Sequence, residues 1–322
     1  MPYLSTSTYP GPPWYQFTPN LETIWPGALR RIRGLRYERE RLELSDGDFV
    51  DLDWVDRGQR RLVILTHGLE GNSERHYMKG MAKAFREDRW DVLAWNCRSC
   101  SGEMNRKLRL YFHGEIGDLG EVVEHALRTK DYECIVLVGF SMGGNILLKY
   151  LGERADDLPA CVAAGIAFSA PVDLVDSVVK LDTPELAFYR KRFYQKLRPK
   201  VIHKARQFPN LIKAADLDKV RTWRDFDRYF SAPINGFSSP DELYRAGSAI
   251  RFVGPIRVPS LLVNAQNDPI LSPSCFPEAL ARQHPYLYLE APRRGGHVGF
   301  CLPRTSVSWA ERRALDFVHE KL

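Results

Sequence analysis

The chain has 322 residues, 44% hydrophobic and 27% charged, which is too apolar for a disordered polymer and ordinary for a globular protein. Its 46 basic and 40 acidic residues leave a net charge of +6, which without an accompanying motif does not indicate nucleic-acid binding. The mean hydropathy is −0.34, and the longest uncharged apolar stretch, Leu158 to Val172, falls short of the roughly 20 residues a bilayer requires.

Residues 1–35, rich in Pro and Trp, read as an arm wrapping the surface. Two β-like runs, Arg41 to Leu44 and Phe49 to Trp54, flank the turn Ser45-Asp46-Gly47-Asp48 and predict an antiparallel hairpin. Arg61 to Thr66 reads as a buried strand running into His67-Gly68-Leu69-Glu70-Gly71, followed by a helix from about Ser73 to Glu87. Asp91 to Trp95 predicts a strand, Asp118 to Leu127 a helix, Cys134 to Val138 a strand, and a helix starts after Ser141. Further strands are expected at Cys161 to Phe168, Ser260 to Asn264 and Tyr286 to Glu290, with helical spacing from Ser306 to Leu322. Such alternation predicts an α/β fold: one domain over 1–322, with a mostly parallel twisted sheet of about eight strands and helices on both faces.

About 90 residues separate the strands at 161–168 and 260–264, far more than a crossover helix needs. Their pattern is helical, and residues 174–250 are read as an inserted cap or lid. The positive charge is concentrated here, with 14 Lys and Arg against 7 Asp and Glu between Asp176 and Phe230. Leu186, Tyr189, Phe193 and Leu197 form an apolar stripe opposite Arg190, Lys191 and Lys196. That stripe is open to three readings: a solvated helix, a peripheral contact with an anionic membrane surface, or a wall closing over a pocket.

Gly139-Phe140-Ser141-Met142-Gly143 fits G-x-S-x-G and sits after a strand and before a helix, the context in which that pattern exposes a nucleophilic serine. Serine needs a base to take its proton and a third group to hold the base. Asp268 follows the Ser260–Asn264 strand, and His297 follows the last strand among glycines in Arg294-Gly-Gly-His-Val-Gly299, so both belong at the sheet's carboxyl edge. Asp173 is the alternative acid. His76, His125, His203, His284 and His319 fall on helices or turns, His113 near a helix start, and His67 in its glycine loop; all are read as structural. A tetrahedral intermediate needs two N–H donors, and Leu69 and Met142 are the expected oxyanion hole.

The six cysteines, at 97, 100, 134, 161, 275 and 301, read as reduced thiols, which points to the cytoplasm. Cys97-Arg-Ser-Cys100 is a lone C-x-x-C with no second pair at metal spacing, so neither a metal nor a cofactor is expected.

Taken together, THGLEG at 66–71, NCRSCSGEMN at 96–105, GFSMGGN at 139–145, and NDP and GGHVGF near the C-terminus resemble the YheT-like branch of the α/β-hydrolases, from about residue 20 to the end. The resemblance implies an α/β-hydrolase fold with a helical cap and a carboxylic-ester hydrolase needing no cofactor. It gives Ser141 as nucleophile, Asp268 as acid and His297 as base. Ser99 departs from the pattern, since many relatives have glycine there. The expected partner is a small-molecule ester, not nucleic acid. The alternatives are an alcohol O-acyltransferase using the same three residues and a non-catalytic ligand-binding protein that keeps the fold.

Overall fold

The computed structural model describes residues 3, 4 and 6–322. Among the described residues nine strands form one sheet: β1 (Tyr3–Leu4), β2 (Glu38–Glu43), β3 (Phe49–Val55), β4 (Arg61–Thr66), β5 (Asp91–Asn96), β6 (Cys134–Phe140), β7 (Val162–Phe168), β8 (Ser260–Val263) and β9 (Leu287–Glu290), in spatial order β1-β9-β8-β7-β6-β4-β5-β3-β2. β2 and β3 form the expected antiparallel hairpin, β3 also pairs antiparallel with β5, and all other pairs are parallel. Eight strands match the sequence reading. The ninth is the two-residue edge strand β1, too short to carry a pattern.

The central strands read as apolar runs because both of their faces are covered. In β4, Leu62 and Ile64 enter one apolar cluster while Val63 and Leu65 enter the other. Helices α3 (Ile116–Thr129) and α4 (Met142–Glu153) supply Leu119, Val122, Ile146 and Leu147 to the first. Helices α2 (His76–Glu87) and α11 (Trp309–Lys321) supply Met78, Phe85, Trp309 and Phe317 to the second.

The residues read as a surface arm contain more structure than that. Helix α1 (Pro19–Leu29) starts at Thr18, whose hydroxyl accepts from the Leu21 N–H, and it buries Glu22 and Pro26. Between β7 and β8 run α5 (Leu174–Leu181), α6 (Ala187–Gln207), α7 (Trp223–Phe226), α8 (Ala232–Ile234) and α9 (Pro240–Gly247), while α10 (Glu278–Gln283) precedes β9. Helices α5 to α9 share a third apolar cluster that takes in Leu186, Tyr189 and Leu197. The apolar stripe therefore packs inward, against the other cap helices. Among the described residues no helix is long and apolar enough to cross a membrane.

Candidate active site

Four loops at the carboxyl ends of parallel strands build the site: those after β4, β6, β8 and β9. The turn after β6 forces Ser141 into the left-handed region at φ 53°, a conformation a non-glycine residue holds only when its surroundings impose it. Close approach imposes it. A Cβ at Gly139 would lie 2.3 Å from Gly143 O, and one at Gly143 would lie 2.3 Å from Thr66 O, so strand and helix can meet there only through glycine. The serine is left at the N-terminus of α4, where the helix dipole is positive.

The structure brings the three predicted residues together. His297 Nε2 is 2.9 Å from Ser141 Oγ, and His297 Nδ1 is 2.8 Å from Asp268 Oδ2. The other carboxylate oxygen of Asp268 accepts from the Ile270 N–H at 2.8 Å and the Leu271 N–H at 3.3 Å, which fixes the acid and leaves Oδ2 for the imidazole. Asp173 does not reach the site; it caps α5 by accepting from the Val175 N–H.

The glycine loop leaves one amide free. The Gly68 N–H donates to Tyr77 Oη, the Glu70 N–H to Tyr111 Oη and the Gly71 N–H to Gly68 O. The Leu69 N–H has no acceptor among the described residues, and neither has the Met142 N–H. Two unpaired donors near a serine hydroxyl are what an oxyanion needs. His67 shapes this loop, with Nε2 accepting from the Cys97 N–H and Nδ1 facing Gly68 O, and burial pushes its pKa down to about 4.

The NCRSCSGEMN segment is a structural lock. Buried Arg98 pairs bidentately with Asp118 and also reaches Asp46 and Asp48. Ser99 has φ 62°, the left-handed region that favours glycine, and its hydroxyl is engaged by Asn105 through both the side chain and the backbone N–H. Cys97 and Cys100 are buried free thiols, and burial pushes Cys100 up to about 11, so it stays protonated. No cluster of three or more metal-ligating side chains exists among the described residues.

A family model described as alpha/beta hydrolase fold matches residues 61–301. The chain is also 33% identical over 290 residues to YheT of Escherichia coli, whose name calls it a candidate esterase, across 87% of this chain and 84% of that one. The chain belongs to the α/β-hydrolase family, in its YheT-like branch. It is similar as well to the medium-chain fatty acid ethyl ester synthase/esterase 2 of Saccharomyces cerevisiae, at 27% identity over 91% of this chain and 67% of that one. Among solved structures, the Pyrococcus furiosus esterase Pf2001 shares the fold with a TM-score of 0.60 at 17% identity, covering 98% and 99% of the two chains.

Two cavities meet at the serine of this α/β-hydrolase, and Ser141 and His297 line both. The inner one, about 100 Å³, is walled mainly by α5 to α9, including Val178, Leu197, Val201, Phe226, Phe230 and Ile234. The outer one, about 460 Å³, is a vestibule between α1, the start of α2 and α6. Residues that sequence patterns do not single out hold these three side chains in place. Buried Glu22 on α1 accepts from Asn267 Nδ2 at 3.0 Å, the Gly295 N–H at 2.6 Å and the Arg294 guanidinium at 2.7 Å, tying together the loops that carry Asp268 and His297. Thr23 accepts the His297 N–H at 2.9 Å. The Thr18-Pro19 pair, an N-cap followed by proline, is the local signal that could have revealed this helix.

Proposed function

We propose that the chain hydrolyses carboxylic esters through an acyl-enzyme on Ser141. His297 takes the hydroxyl proton at Nε2 while Asp268 holds Nδ1–H, so the imidazole keeps the tautomer that can accept. Ser141 Oγ then adds to the ester carbonyl, and the amides of Leu69 and Met142 receive the oxyanion. The tetrahedral intermediate collapses, the leaving alkoxide takes the proton from His297, and water resolves the acyl-enzyme by the same route in reverse. The observation that carries this reading is the continuous Ser141–His297–Asp268 chain at 2.9 and 2.8 Å on a strained turn. The esterase names of the relatives support it. The inner chamber suits an acyl chain, and residues 174–250 act as its cap.

The test is hydrolysis of p-nitrophenyl acyl esters. Ser141→Ala should lose on the order of a million-fold in kcat. Comparable turnover by the variant rejects the nucleophile, and failure of the wild type to react with a fluorophosphonate probe favours a non-catalytic binding protein. Acyl transfer to an alcohol uses the same residues. The yeast relative's name, both synthase and esterase, favours measuring it, by following ester formation against hydrolysis with ethanol present.

A further inference from the structure

The vestibule is lined by six basic residues, Arg30, Arg31, Arg75, Lys79, Arg192 and Lys196, and by one acidic residue, Glu74. Glu74 is spent on Lys79 at 2.8 Å, and Arg30 is paired with Glu311. Arg31, Arg75, Arg192 and Lys196 have no carboxylate partner among the described residues. Two of these cations are held side by side. Arg75 Nη2 and Lys196 Nζ donate to the same atom, Glu70 O, at 2.8 and 3.1 Å, so their charges lie within about 6 Å of each other. Arg192 is one helical turn before Lys196 on α6 and lines the same wall. Burial first, then Arg75, and more weakly Arg192 and Lys200, push the Lys196 pKa down, against the opposing pull of the Glu70 carboxylate, which is itself paired with Lys200. Helix α2 begins at this wall with neither a side-chain cap nor an acidic residue in its first turn.

Unneutralised like charges gathered in a concave wall repel one another, and an anion placed among them relieves that repulsion. The inner chamber offers nothing similar: its lining is dominated by apolar side chains, where a phosphate would be costly to bury. Since Ser141 lies between the two, a bound ester must put its acyl chain in one and its alcohol portion in the other. We propose that the vestibule is a subsite for a phosphate group on the alcohol portion, so that the substrates are acyl esters of a phosphorylated alcohol. The inference rests on the ester-hydrolase reading above. Two guanidinium forks and an ammonium match the several oxygens and double charge of a phosphate better than a single carboxylate. In the reaction the carbonyl carbon's bond to the leaving oxygen breaks as its bond to Ser141 Oγ persists; the phosphorylated alcohol departs with the proton from His297, and water then releases the fatty acid.

The experiment compares kcat/KM for 1-octanoyl-glycerol-3-phosphate, 1-octanoylglycerol and octanoyl-CoA. The expected result is a preference for the phosphate ester over the neutral glyceride of roughly ten- to a hundred-fold. That ratio should fall toward one in the Arg192→Met/Lys196→Met double variant, and should shrink in about 0.5 M NaCl. Lys191→Met, on the same helix but outside the vestibule, should keep it. Preference for octanoyl-CoA that is lost in the double variant also supports phosphate recognition, and identifies a nucleotide thioester as its source. Turnover of the neutral glyceride with no preference for either phosphate-bearing substrate, or a preference indifferent to the double variant, overturns the inference alone. A chain that turns over none of the three overturns the hydrolase reading and this inference with it.

Discussion

The two chambers that meet at Ser141 are made of different material. The inner one is lined by side chains from helices whose main partners are one another, so its shape depends on how α5 to α9 pack. The outer one is lined by charged side chains from the segments just after α1 and just before α2, and from α2 and α6, so its character is electrical rather than steric. Helix α6 serves both, giving Leu197 and Val201 to the inner chamber and Arg192 and Lys196 to the outer. A single helix with two faces can therefore sort the two ends of a substrate, and changes on one face should alter selectivity for one end only.

The largest effect should come from the seam between the chambers, and there it should be blind to the substrate's ends. Asp268→Asn leaves the imbalance of an imidazole without its acceptor, and kcat should fall about ten-thousand-fold. Assayed with charged and neutral esters, the loss should be the same for both; unequal losses would mean that the relay and the vestibule are not separable. A smaller effect is expected from filling the inner chamber. Val178→Trp should cut kcat/KM for octanoyl esters roughly a hundred-fold relative to acetyl esters, a few kcal/mol of overpacking. An acyl-chain-length profile with a melting curve for the variant checks it, and an unchanged profile would remove the inner chamber from acyl recognition.

The smallest effect separates the chambers by proton. His113 lines the inner chamber and burial alone pushes its pKa down to about 4, whereas His76 lines the vestibule and is pushed to about 3 by burial first and then by Arg30, Arg75 and Arg31. Each binds fewer protons folded than unfolded between its folded pKa and about 6.5. Stability from these groups is therefore present at pH 7 and lost as pH falls, by about 1–2 kcal/mol each on going to pH 5. Buried Asp227, raised to about 6, works in the opposite direction and offsets part of this. Thermal unfolding at pH 7 and pH 5 should show the net loss, reduced in His113→Asn. Added salt should lessen the loss associated with His76 but not that of His113, because only the former has a screenable cause. Equal salt responses would argue that the vestibule carries no special potential.

Much of the fold and the Ser141–His297–Asp268 trio could be read from the amino-acid order, because their signals are local. β4, β6 and β7 are apolar runs covered on both faces, and the turn at Ser141 needs glycines at fixed offsets. The vestibule gives no such signal. Arg75 and Lys196 are more than a hundred positions apart and converge only when α6 lies across the loop after β4. A solvated face is one of the readings the basic segment allows, yet Lys196, Lys200 and Lys204 recur every four residues and turn inward, the latter two reaching Glu70 and the carbonyls of Asn105 and Lys107. Glu22 is equally silent, since its partners lie at positions 267 to 295.

Glu22 also marks where a shortened version of this protein would fail. A fragment trimmed to 61–301 retains β4 to β9 and Ser141, Asp268 and His297, but discards the carboxylate to which two of their loops are moored. The stretch that the family model outlines is thus smaller than the stretch that keeps the histidine aimed, and anyone recombining such domains should carry the leading helix along.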